Sequence, residues 1–143
     1  MLKKTICATC ALLAAAAMGY YAGRSTTVVQ ASDSQVYELR TYTAEPGKLE
    51  DLHSRFRNHT LRIFNKHGMT NLVYLRPHDE PLKSNTLTYL ISHSSREQAK
   101  KNWSAFGSDP EWQKVARESQ LNGKLVTKVD SIFFDPADYS PMK

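Results

Sequence analysis

The chain has 143 residues, 41% of them hydrophobic and 23% charged, which leaves room for a leader and one domain with a real core. Its formal charge of +5 shrinks once the leader is set aside: without Lys3, Lys4 and Arg24 the 19 basic residues become 16 against 14 acidic ones, net +2. The remaining bases are scattered, a balance that excludes a nucleic-acid-binding surface.

Lys3 and Lys4 form a basic start, Thr5 to Gly23 is apolar and alanine-rich, and Val29-Gln30-Ala31 is a small-x-small end. Residues 1–31 therefore read as a signal peptide cleaved after Ala31, which sends residues 32–143 to the periplasm or outside the cell. The competing reading is an uncleaved membrane anchor through residues 5–23, because this 19-residue run approaches spanning length. Both cysteines, Cys7 and Cys10, lie in the leader, so the exported domain has no disulfide and no thiol nucleophile. Their C-x-x-C spacing carries no redox chemistry, since an apolar stretch offers nothing to lower a thiol pKa. Cys10 also lacks the leucine that usually opens a lipid-attachment signal.

Within the domain core, residues 35–135, Gln35 to Tyr42 alternates and is rich in strand formers, predicting a first strand that Glu45-Pro46-Gly47 ends. Lys48 to His67 is predicted as one helix. Leu49, Leu52, Phe56, Thr60, Ile63, Phe64 and His67 share a face, while Glu50, Asp51, Ser54, Asn58 and Arg62 lie opposite. Gly68 stands at the C′ position. Thr70 to Arg76 and Asn85 to His93 read as a hairpin pair of strands around a polar, proline-bearing loop.

A punctuated cassette follows. Ser94 with Glu97 has capping-box spacing, and Asp109-Pro110 restarts a second helix, with Asp109 as cap and Pro110 at its first position. Trp103, Phe106 and Trp112 anchor the two pieces, and Trp112, Val115, Ala116 and Ser119 share one face. Lys124 to Phe134 is the last strand. The order β-α-β-β-α-β favours a split, ferredoxin-like α+β domain with helices on one face of the sheet. The other face then needs a cover, and a second copy of the chain is the physical expectation.

The ordered set Val36-Tyr37-Glu38-Leu39-Arg40-Thr41-Tyr42, Pro46-Gly47-Lys48, His67-Gly68, the Trp103/Phe106/Asp109-Pro110-x-Trp112 cassette and Lys124-Leu125-Val126 resembles the NIPSNAP family across residues 36–135. The resemblance implies a dimeric α+β barrel in which two four-stranded sheets close on each other. One departure is Leu75, where the family often carries tryptophan after the hairpin tyrosine. The resemblance implies no agreed chemistry. Fold-mates of the family include cofactor-light oxygenases and isomerases, an analogy of fold only.

Along the first strand Tyr37, Leu39 and Thr41 share one face and Val36, Glu38, Arg40 and Tyr42 the other. The first set is expected to meet the helices, and the second to face a barrel interior between subunits. Leu72, Tyr74 and Arg76 alternate together on the second strand, and Leu87, Tyr89, Ile91 and His93 on the third. Glu38, Arg40, Tyr42, Tyr74, Tyr89 and His93 are thus the candidate ligand-binding residues: a polar–aromatic lining for a small acidic or carbonyl-bearing ligand, anchored by Arg40. The bland alternative is that Glu38 and Arg40 form ion pairs and the tyrosines simply pack.

No metal site or cofactor is expected. His53 and His67 are 14 residues apart, roughly 21 Å along a helix, and cannot share an ion. His59 and His78 have no partner histidine at metal-ligand spacing, which leaves His93 as the one histidine able to reach a pocket. With no G-x-S-x-G, phosphate loop or paired-carboxylate spacing, no catalytic residue is assigned. The expectation is an exported homodimer that binds a small ligand or a protein partner without catalysis. The alternative is a small barrel enzyme of oxygenase or isomerase type, using Arg40, the tyrosines and His93.

Overall fold

The β-forming alternation beginning at Val36 gives β1 (Val36–Ala44), and every later strand takes its place from it. A computed structural model describes residues 35–142, so the signal-peptide reading of residues 1–31 lies outside the described residues. Gly47, at φ +74°, makes the turn into α1 (Leu49–Arg55). A π-helical turn (Phe56–Thr60) follows, and then α2 (Leu61–Lys66). The single helix expected over 48–67 is therefore interrupted by one widened turn, in which Thr60 Oγ1 donates to the Arg55 carbonyl at 3.2 Å. The apolar stripe survives: Leu49, Leu52, Phe56, Ile63 and Phe64 are buried.

Gly68, at φ +73°, ends α2 and leads into β2 (Thr70–Leu75), which runs through an exposed loop to β3 (Thr86–His93). α3 (Arg96–Ser108) and α4 (Pro110–Glu118) meet at Asp109, whose side chain accepts from the Glu111 amide at 2.8 Å. The cap of α3 is Ser95, not Ser94. Its hydroxyl oxygen accepts from the Gln98 amide at 3.0 Å, because β3 turns one residue further before the helix begins. Ser95→Ala is expected to cost about 1 kcal/mol and Ser94→Ala less than about 0.5, read by chemical denaturation.

β4 (Val126–Phe134) completes an antiparallel sheet of order β2-β3-β1-β4. The sequence expectation about its faces is reversed. Leu87, Tyr89 and Ile91 are 1% exposed or less, and their burial under the helices fixes the face of β3. The register then pairs Glu38 with Ile91, Arg40 with Tyr89 and Tyr42 with Leu87, so all three β1 residues must point to the helix side. Tyr37, Leu39 and Thr41 take the opposite face. Alternation within one strand states which residues travel together but not which set is covered. A bulge on β2 adds a second correction: Asn71 and Tyr74 pair with Ile91 and Tyr89, and Leu72 falls between them, out of step with Tyr74.

The layer between sheet and helices is an aromatic stack. Phe64 lies 5.4 Å from Trp103 and 5.0 Å from Phe106, Phe56 lies 5.2 Å from Tyr89, and Phe106 lies 4.3 Å from Trp112. At the helix joint Asp109 also receives His67 Nε2 at 2.6 Å and Lys66 Nζ at 2.7 Å. Hydrogen bonds from Lys66 and His67 outweigh burial and hold its carboxyl well below the usual range. The other side of the sheet carries no helix and is largely apolar: Val73, Leu75, Ile132 and Phe134 are 38%, 48%, 55% and 45% exposed, while Tyr37 is buried and lines a cleft with Leu90, Phe134 and the C-terminal segment.

Candidate functional site

Glu38 is 1% exposed and receives four donors. Arg40 Nη1 reaches Oε1 at 2.7 Å and Ser131 Oγ reaches it at 2.6 Å. Trp103 Nε1 reaches Oε2 at 2.6 Å, and His93 Nε2 lies 3.0 Å from the same oxygen. Burial alone would push the Glu38 pKa up, but the bonds from His93, Ser131, Trp103 and Arg40 more than offset it and hold the carboxyl at about 2. The group is a fixed anion.

The far side of His93 is tied as firmly. Asn102 Nδ2 donates to the Gly68 carbonyl at 2.9 Å, and its Oδ1 accepts from Gln98 at 2.7 Å, which orients the amide. The same Nδ2 lies 3.2 Å from His93 Nδ1, so that nitrogen accepts and the ring proton sits on Nε2, donated to Glu38. Neither nitrogen is left for a substrate or a haem iron.

The candidate residues named from sequence do converge. Arg40 stacks over the Trp103 ring at 4.2 Å and points Nη2 at the Tyr42 hydroxyl at 3.4 Å. Tyr89 donates to the Tyr42 oxygen at 3.1 Å, Tyr74 stacks on Tyr89 at 5.2 Å, and the Tyr74 hydroxyl donates to Asn71. Burial pushes the Tyr74 and Tyr89 hydroxyls above their ordinary pKa, which disfavours phenolate chemistry. The six side chains therefore meet under the helices rather than between subunits, and they meet each other.

Three partners escaped the sequence reading: Trp103, Asn102 and Ser131. Trp103 carries a usable signal, since a buried indole N–H takes an acceptor and the Glu38 carboxylate can accept from more than the Arg40 weighed for it. Ser131 follows only from the register, which pairs it with Arg40. Trp103→Phe keeps the packing and removes one donor to an anion. It is expected to lower stability by about 1.5–3 kcal/mol in denaturant titration.

Among the described residues, open space adjoins this network only at Tyr74 of the six. One cleft of about 280 Å³ runs between α1, the π turn and α4, lined by Ser54, Arg55, Asn58, His59 and Ser119 among others. A smaller apolar cleft of about 220 Å³ is lined by His53, Phe56 and Tyr74. Among the described residues the buried side-chain atoms without a hydrogen-bond partner are Arg40 Nε, His53 Nε2 and Arg55 Nε. No cluster of three or more His, Cys, Asp or Glu side chains able to hold a metal ion occurs among the described residues.

A four-stranded antiparallel sheet with helices packed on one face defines a ferredoxin-like α+β protein. The NIPSNAP family profile matches residues 37–141, and the chain belongs to that family. Among solved structures it is similar to a NIPSNAP family protein from Agrobacterium tumefaciens, with a TM-score of 0.67 and 19% identity over 78% of this chain and 96% of that one. It is also similar to a NIPSNAP-like domain protein from Burkholderia xenovorans, with a TM-score of 0.65 and 19% identity over 76% and 90%. SnoaB of Streptomyces nogalater, a cofactor-independent oxygenase, aligns with a TM-score of 0.55 and 16% identity over 76% and 98%. These likenesses establish the fold alone. No protein with a curated function matches the chain.

Proposed function

We propose that this chain is an exported, homodimeric NIPSNAP module that binds a small ligand or a protein partner without transforming it. The observation that carries this reading is the closure of the Glu38 network. A carboxylate that already accepts from Arg40, Ser131, His93 and Trp103 has no free oxygen to act as a general base. The homodimer rests on the helix-free sheet face, where Val73, Leu75 and Ile132 form an exposed apolar surface that a second sheet would cover. Export rests on residues 1–31, whose basic start, apolar run and Ala31 end suit a cleaved signal. Native mass spectrometry of the exported protein tests all three at once. It is expected to give twice the mass of residues 32–143, with any co-purified ligand as an added mass. A monomer, or a chain retaining its first 31 residues, contradicts the corresponding part.

The likeness to an oxygenase supports a second reading, an oxygenase or isomerase in which Arg40 and the tyrosines polarise a substrate oxygen while His93, held between Glu38 and Asn102, fixes the carboxylate beside them. Its specific support is Arg40 Nε, buried and unpartnered beside the Tyr42–Tyr89 hydroxyl pair. Oxygen uptake with quinol substrates that is lost in Arg40→Gln favours this reading over pure binding.

A further inference from the structure

Arg55 is the anomaly of the helical layer. It is 8% exposed, yet among the described residues no carboxylate lies within ion-pair reach of it. Among the described residues its guanidinium has one polar contact, the Ser119 hydroxyl 3.5 Å from Nη1, and its Nε has no partner. The guanidinium lies over the Trp112 ring at 5.2 Å, which shapes and partly shields it without cancelling its charge. A buried cation with this little compensation is costly, and burial pulls its pKa below the ordinary value.

The surroundings make the charge useful. Arg55 lines the cleft of about 280 Å³ between the helices, enough for roughly nine water volumes. Ser54, Asn58, Ser119 and Asn122 offer hydroxyl and amide groups around it. The π turn lies against this cleft and supplies Asn58 and His59. Such turns recur at functional sites, because the widened backbone re-aims side chains that an α-helix would disperse. Two acids, Asp51 and Glu118, also line it, but both side chains are more than half exposed. Lys48 lies 3.1 Å from the first and Lys114 lies 3.9 Å from the second. At the base of the cleft the desolvated guanidinium outweighs these solvated, paired charges.

We propose that this groove binds a small carboxylate bearing hydroxyl or amino groups, with Arg55 as its anchor. The carboxylate accepts from the unpartnered Arg55 N–H groups and the Asn58 and Asn122 amides, and its hydroxyl or amino groups donate toward the rim acids; the Ser119 hydroxyl, which donates to the Ala116 carbonyl at 3.3 Å, holds the guanidinium in place. The proposal rests on the ligand-binding part of the function proposed above and is independent of subunit number. A failed dimer and an empty cleft are therefore distinguishable results.

The chain has two tryptophans, so 5-fluorotryptophan labelling of the exported protein gives two fluorine resonances, assigned with Trp112→Phe. L-lactate and L-serine are expected to shift the Trp112 resonance saturably and to leave Trp103 in place. Methyl lactate, the neutral ester, is expected to do nothing. Asn58 is exposed, so Asn58→Asp folds normally while adding a negative charge at the mouth, and lactate is expected to bind it about tenfold more weakly or worse. Arg55→Lys provides the direct test where it folds. A Trp112 resonance unmoved by both acids, an equal response to the ester, or unchanged affinity in Asn58→Asp overturns the proposal.

Discussion

Glu38→Ala is expected to destabilise the protein by about 3–5 kcal/mol, a large fraction of the stability of a domain this size. The cost arises from what stays behind. Arg40 keeps a guanidinium whose side chain is only 15% exposed, with its nearest anion gone. His93 and the Trp103 indole each keep a buried N–H with no acceptor. Glu38→Gln preserves shape and one acceptor oxygen, so it is expected to cost less and to isolate the charge. The pH dependence has a definite sign. The folded pKa of about 2 lies below the ordinary 4.5, so the contribution is complete above pH 4.5 and is lost as pH falls through 2. Urea midpoints at equal m-value should therefore show wild type and Glu38→Gln converging below pH 4.5. A gap that stays constant down to pH 2, or an alanine variant costing under about 1 kcal/mol, contradicts a central role for this anion.

The element order was legible because punctuation and periodicity agreed. Gly68 at φ +73°, Asp109 capping α4 and Pro110 at its first position each have one local solution, and the chain adopts it. What remained hidden depends on partners distant in sequence. Glu38 and Arg40 looked like residues for an open interior, and only the pairing of β1 with buried Tyr89 and Ile91 turns them under the helices. Trp103 looked like joint packing, and its acceptor is 65 positions away. Arg55 falls on the polar side of its helix and is buried only because α4 lies alongside. The six candidate residues are thus neighbours in space, but on the helix side of the sheet and not on the face assigned to them from alternation. The cleft lined by the unpartnered Arg55 left no trace in any motif.

The same reversal changes which residues a partner subunit would meet. With Glu38 and Arg40 committed to the helix side, the exposed sheet face presents Leu39, Val73, Leu75, Leu90 and Ile132, an apolar surface interrupted by Thr41, Thr88 and Asp130. Ile132 is 55% exposed in a single chain and Leu75 is 48% exposed, so neither contributes much to the fold of one subunit. Ile132→Asp is therefore expected to leave the monomer folded while weakening self-association by about a hundredfold or more, because it sets an unpaired carboxylate against an apolar sheet and beside Asp130. Light scattering at micromolar concentration should show the mass halving, with the circular dichroism spectrum unchanged. Leu75→Lys on the far edge strand is expected to act in the same direction. A substitution on the helix side, such as Asn58→Asp, should not change the mass. If the wild type is already a monodisperse monomer, or Ile132→Asp keeps the dimer mass, the sheet face is not the interface and the two-sheet barrel is ruled out. That outcome would leave the exposed edge of β4, with Val129, Ile132 and Phe134 spread over its two faces, as the surface in need of a different cover.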